Sequence, residues 1–243
     1  MELQDTNCCK KKHPIDSERF QQLISYLLIN YNQISDCGLM SGKMGGIIFF
    51  MIYAQKTGIE LYNDYCDELF DDIYKYISTD TKLGLYNGLC GIGWGIEFLI
   101  QHDLIEGNTD DILKDIDSKI QEINPLRITD KSTENGLIGI LYYIIVRMES
   151  FDRRGLYSPF DKQYLQQLLQ SISNLPLQDK MQYDNLLRKY KRIIFGLCEY
   201  NVKPMFPNFM FDGLPKHIHE FHSHPIGIHK GLTGIALKNI MYE

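Results

Sequence analysis

The chain has 243 residues, 44% of them hydrophobic and 23% charged, with a formal net charge of −6. These values fit a globular protein with a sizeable core, and they exclude a disordered chain and a general nucleic-acid binder. Its six cysteines lack C-x-x-C spacing, which excludes a disulfide-stapled scaffold and points to reduced thiols in a cytoplasmic protein.

The first fourteen residues, MELQDTNCCKKKHP, hold no apolar stretch for a secretory signal. They read as a flexible, solvated tail (1–14), and 15–243 reads as one domain. Behind Asp16 or Ser17 as a start signal, Phe20, Leu23, Ile24, Leu27, Leu28 and Tyr31 recur at helical spacing. Residues 38–47, GLMSGKMGGI, lead into the apolar run MGGIIFFMIYA, about half the length of a membrane span. A second amphipathic set follows at Cys66, Leu69, Phe70, Ile73 and Ile77. Residues 84–92, GLYNGLCGI, then open an apolar helix that carries Trp94, the only tryptophan, and Glu97, with His102 at its end. Trp94 reads as core filling or as a cavity wall. A third set, Ile112, Leu113, Ile116, Ile120 and Ile123, starts at Asn108 or Thr109 and precedes NGLIGI at 135–140. A fourth set, Tyr164, Leu165, Leu168, Leu169 and Ile172, has Ser158 and Pro159 as its start signal. The stretch PMFPNFMFDGLP at 204–215 crowds Met205, Phe206, Phe209, Met210 and Phe211 between prolines. It reads as a packed plug closing one end of a helical barrel, or as a peptide-docking surface. Residues 227–235, GIHKGLTGI, open the last apolar helix.

A period runs through these elements. The first glycines of the G-x-x-G cores, Gly42, Gly88, Gly136 and Gly231, are separated by 46, 48 and 95 residues. The long step implies a unit near residue 184, where YDNLLRKYKRIIFGLC is helical in pattern but lacks the glycines. Five units result, each an amphipathic outer helix, a loop, and a buried inner helix entered through the glycines. Glycine suits the crowding of inner helices toward a common centre. The first-turn amides of those helices are expected to face that centre, where they would favour anionic groups. SGKMGG is not a phosphate-binding loop: it lacks G-x-x-x-x-G-K-[ST], and no strand precedes it.

GLMSGKMGGI, GLYNGLCGIGW, NGLIGI and GIHKGLTGIAL together resemble the lanthionine synthetase C-like family. The resemblance covers about residues 15–242. It implies an all-α fold, a double-layered α/α toroid, here with about five helical hairpins where the family's cyclases have seven. It also implies a role in lanthipeptide maturation, with a precursor peptide as partner beside other maturation enzymes. The family's cyclases hold zinc with a cysteine in W-C-x-G and with an adjacent Cys-His before a later glycine. Zinc activates a peptide thiolate for addition to a dehydrated residue. In this sequence the pairs before the glycines are Met40-Ser41, Tyr86-Asn87, Glu134-Asn135 and His229-Lys230, with no cysteine among them.

Two further regions offer chemistry. KHIHEFHSHPIGIH, residues 216–229, carries His217, His219, His222, His224 and His229 as candidate metal ligands, so zinc is the one cofactor left open. The plainer reading is a hydrogen-bonded loop, and an acid–base role without metal is a third. The stretch is not H-E-x-x-H. Glu97 and His102, with His229, are the candidate catalytic residues; the plainer reading is a paired polar group and a helix end. The sequence favours a member that binds or presents a peptide over a thioether cyclase. A metal-dependent cyclase built on 217–229 is the first alternative. A carbohydrate-active toroid enzyme is the second, although no carboxylate pair stands out for it.

Overall fold

The computed structural model describes residues 17–77, 82–152, 158–197, 203–216, 218 and 220–241. Asp16, the tail, His217 and His219 lie outside them. Among the described residues there are eleven α-helices and no strand. They are α1 (Ser17–Tyr31), α2 (Lys43–Thr57), α3 (Leu61–Ile77), α4 (Leu89–Gln101), α5 (Thr109–Ile112) and α6 (Lys114–Gln121). They continue with α7 (Leu137–Asp152), α8 (Lys162–Ser173), α9 (Leu177–Gln182), α10 (Asp184–Ile194) and α11 (Leu232–Met241).

The helices form the two layers of an α/α toroid. The inner row runs α11, α2, α4, α7, α10, each packed on the next, while α1, α3, α6 and α8 lie outside against α11 and α2, α2, α4, and α10 respectively. The glycine-led inner helices α2 and α4 are apolar nearly all round because they are covered nearly all round. Residues 43–50, 89–99 and 137–141 are buried without a break. The unit expected near residue 184 is α10. Lacking the glycines, it is amphipathic and buries only Leu187 and Tyr190.

The outer helices bury one stripe each, as their spacing dictates. Tyr65, Cys66, Leu69 and Ile73 are buried on α3, and Tyr164, Leu165, Leu168 and Ile172 on α8. One start and one span differ from the sequence expectation. α8 begins at Lys162, capped by Asp161, whose carboxylate accepts from the Tyr164 amide at 2.7 Å. Ser158 instead closes a turn onto the Phe160 carbonyl. The third outer segment is two helices: Asn108 caps α5, the chain turns at Leu113, and α6 follows. The break rotates Ile112 out of the apolar stripe, and it is exposed.

All four glycine motifs fold alike. Gly42, Gly88, Gly136 and Gly231 each stand immediately before an inner helix. The first helical amide bonds the carbonyl seven residues earlier: Lys43 to Asp36, Leu89 to Lys82, Leu137 to Asp130, and Leu232 to Pro225, at 2.8–3.0 Å. This corrects the expectation that these amides face the centre for an anion, because the chain's own loops consume them. Gly42 and Gly88 have negative φ, so glycine is required by space. A Cβ on the second glycine, Gly45, Gly91, Gly139 or Gly234, would stand 2.0–2.5 Å from the carbonyl oxygen of Leu39, Leu85, Thr133 or Ile228. The extra glycines of α4 admit neighbouring helices: a Cβ at Gly93 would strike Tyr143 on α7, and one at Gly95 would strike Met44 on α2.

Candidate functional site

The inner-helix loops meet at one end of the toroid through their backbones. The His229 amide donates to the Met40 carbonyl (3.1 Å), the Met40 amide to Tyr86 (2.9 Å), and the Tyr86 amide to Glu134 (3.2 Å). Met40, Tyr86, Glu134 and His229 occupy the same position, two residues before the first glycine of each motif. This rim continues to α10 through the Thr133 and Tyr183 hydroxyls, 3.1 Å apart. Close approach between loops again rests on glycine: a Cβ on Gly38 would lie 2.3 Å from Asn87 Cα, and one on Gly227 2.3 Å from the Met40 oxygen.

A cavity of about 1090 Å³ opens beside the rim, bounded by α4, α7, α10 and residues 204–209. Tyr86, Trp94, Tyr142, Tyr183, Phe206 and Phe209 supply its aromatic surface, and Thr133, Glu134, Gln182 and Asn185 supply polar groups. Burial pushes the Tyr142 phenol up to about 12. Residues 203–216 link α11 to α4 and α7. The turn Asn208–Phe211 packs on α11, while Phe206 and Phe209 reach the other side. Phe206 lies 4.6 Å from Phe98 and 6.0 Å from Trp94; Phe209 lies between Tyr142 (5.1 Å) and Tyr86 (6.2 Å). The aromatic segment therefore packs against α4 and α7 and walls the cavity. Trp94 is 1% exposed and forms part of the cavity wall from within the core.

The family model for lanthionine synthetase C-like proteins matches residues 33–197, more than half of the chain. The chain belongs to the lanthionine synthetase C-like family. No curated protein and no solved structure matches it. The fifth unit lies beyond the matched range, yet its loop repeats the geometry of the other three glycine loops, from the Leu232–Pro225 bond to the clash at Gly234.

The zinc of lanthionine synthetase C-like cyclases finds no matching donors among the described residues. Zinc takes at least three protein ligands. Among the described residues no group of three or more His, Cys, Asp or Glu side chains has metal-holding geometry. The rim offers one imidazole, His229, whose ring lies 5.2 Å from Tyr86 and whose buried Nδ1 has no hydrogen-bond partner among the described residues. Burial, and then the Lys230 charge, lowers its pKa. His222 is exposed and pairs with Glu220 at 3.0 Å. His224 is half-buried, and its amide bonds the Phe221 carbonyl. No step through zinc follows from these residues.

The other sequence candidates sit elsewhere. His102 caps α4; its ring stacks on Phe98 at 4.0 Å and Nδ1 lies 2.9 Å from the Phe98 carbonyl oxygen. Glu97 is fully buried, with Oε1 on Arg147 Nη1 (3.1 Å) and Oε2 accepting from Gln101 (3.2 Å). Arg147 also bonds Asp117 at 3.0 Å and Asp110 at 2.7 Å, and Tyr143 donates to Asp117 at 2.5 Å. This cluster ties α7 to α4, α5 and α6. Sequence reasoning had not singled out Arg147, although the signal was present. Glu97 is the one charge in α4, and Arg147 follows directly on the apolar run of α7; buried charges survive only as partners.

Proposed function

We infer that this lanthionine synthetase C-like chain serves peptide modification by binding or presenting a peptide rather than by closing thioether rings itself. The observation that carries this reading is the rim. Met40, Tyr86, Glu134 and His229 stand where the resemblance leads one to look for thiolate ligands, and an aromatic cavity opens beside them. Thioether closure needs a thiolate held next to its acceptor, and of the four rim residues only Glu134 and His229 are of the kind that holds zinc, short of the three ligands it takes. An aromatic wall with hydroxyl and carboxamide groups suits an apolar peptide side chain together with its backbone. Cys37, Cys66 and Cys90 are buried free thiols, in keeping with a cytoplasmic setting.

The test incubates the protein with a dehydrated, cysteine-containing peptide, titrates the remaining free thiol, and measures binding in parallel. Unchanged thiol with measurable binding is the expected result. Thiol loss that depends on protein, metal and His229 would overturn the reading in favour of a metal-dependent cyclase built on the histidine stretch.

A further inference from the structure

Residues 203–207 form the arm that leads into the Asn208–Phe211 turn, and 204–207 wall the cavity in an unusual way. Pro204 and Pro207 have no amide hydrogen to give, and among the described residues no backbone–backbone hydrogen bond joins 203–206 to the chain. Pro204 is buried, Phe206 half-buried, and Met205 78% exposed. Side chains hold the arm. Phe206 lies against Phe98 and Trp94, and Lys203 pairs with Asp103 at 2.8 Å at the exposed end of α4. The turn that follows is anchored by the fully buried Met210. One end of the segment is thus fixed in the core, while the arm itself is held by side chains alone among the described residues: the buried Pro204, the Phe206 ring against Trp94, Phe98 and Phe211, and one surface ion pair.

We propose that Phe206 is an internal occupant of an aromatic slot formed by Trp94 and Phe98, and that a peptide carrying an aromatic side chain next to a proline takes that slot by displacing the arm. The proposal rests on the peptide-binding reading and adds the chemistry of the ligand. The slot's own occupant defines that chemistry: a phenyl ring on an extended segment flanked by proline. Gln182, Asn185 and Thr133 line the same cavity and supply polar groups for the peptide backbone, Gln182 and Thr133 by exchanging their bonds to the Tyr183 hydroxyl. Displacement reduces affinity by the fraction of time that the arm is closed. Emptying the slot therefore strengthens binding.

Trp94 is the only tryptophan, so its fluorescence reports on the slot. The probes are two capped hexapeptides, Gly-Gly-Phe-Pro-Gly-Gly and its counterpart with Ala in place of Phe, titrated into the wild type and into Phe206→Ala. The variant is expected to bind the Phe peptide at least tenfold more tightly than the wild type does, and the Ala peptide no better. Lys203→Glu sets a like charge against Asp103 without touching the core. It is expected to tighten the Phe peptide several-fold, and it serves as the test if Phe206→Ala does not melt cooperatively. Equal affinities in wild type and variants, or no preference for Phe over Ala, would overturn the displacement proposal. If the dehydrated peptide still bound, the binding reading would stand without it. Failure of every peptide to bind would overturn both.

Discussion

The His229 amide bonds the Met40 carbonyl at 3.1 Å, joining the last glycine loop to the first. Gly227 makes that approach feasible, since a Cβ there would stand 2.3 Å from the same oxygen. Gly227→Ala should cost about 2–3 kcal/mol, because backbone on both sides must give way. That corresponds to a melting temperature lower by roughly 5–10 °C. An unchanged melting temperature would show that the loops separate without cost.

Arg147 makes a sharper case. Its guanidinium touches Glu97, Asp117 and Asp110 with 1% exposure of its side chain. Arg147→Met leaves two buried carboxylates uncompensated and should cost about 3–5 kcal/mol. Lys189→Met, which removes a half-exposed partner of Glu149, should cost less than about 1 kcal/mol. Denaturant unfolding of the two variants checks the contrast, and similar midpoints would contradict it.

The same cluster sets a pH dependence. Burial raises the Asp117 carboxyl above its ordinary value; Arg147 opposes this, but that single cation is shared by three acids. A raised carboxyl favours folding while protonated, and this contribution is lost as pH climbs from near 4 through the raised value. The wild type should therefore lose stability relative to Asp117→Asn over that rise. Melting temperatures of both proteins from pH 3.5 to 7 would show it, and a constant difference would refute it.

Cys66 and Cys90 have no exposed surface, and burial raises both thiols. Neither thiolate nor access is available to an alkylating reagent. Iodoacetamide at pH 8, followed by peptide mapping, should leave both unmodified until the protein unfolds. Labelling of either in the native state would reveal local opening of α3 or α4.

Periodicity alone determined the architecture. The glycine cores spaced near 47 residues, and the apolar runs behind them, specified buried inner helices, because all-round apolarity has no other stable place. It also determined that α10 would start near residue 184 despite its missing glycines. The tertiary structure decided what the glycines face. Whether a helical amide points to a central ligand or bonds its own loop depends on the path of the preceding six or seven residues, and periodicity does not record that path. Partners were decided there too. Glu97 was legible as a buried charge, but its match with Arg147 on another inner helix depends on how α4 and α7 dock. Residues 204–215 were legible as an aromatic cluster between prolines; that Phe206 packs beside Trp94 is a contact between segments about a hundred residues apart. Contacts of that range are set by packing, and no local pattern encodes them.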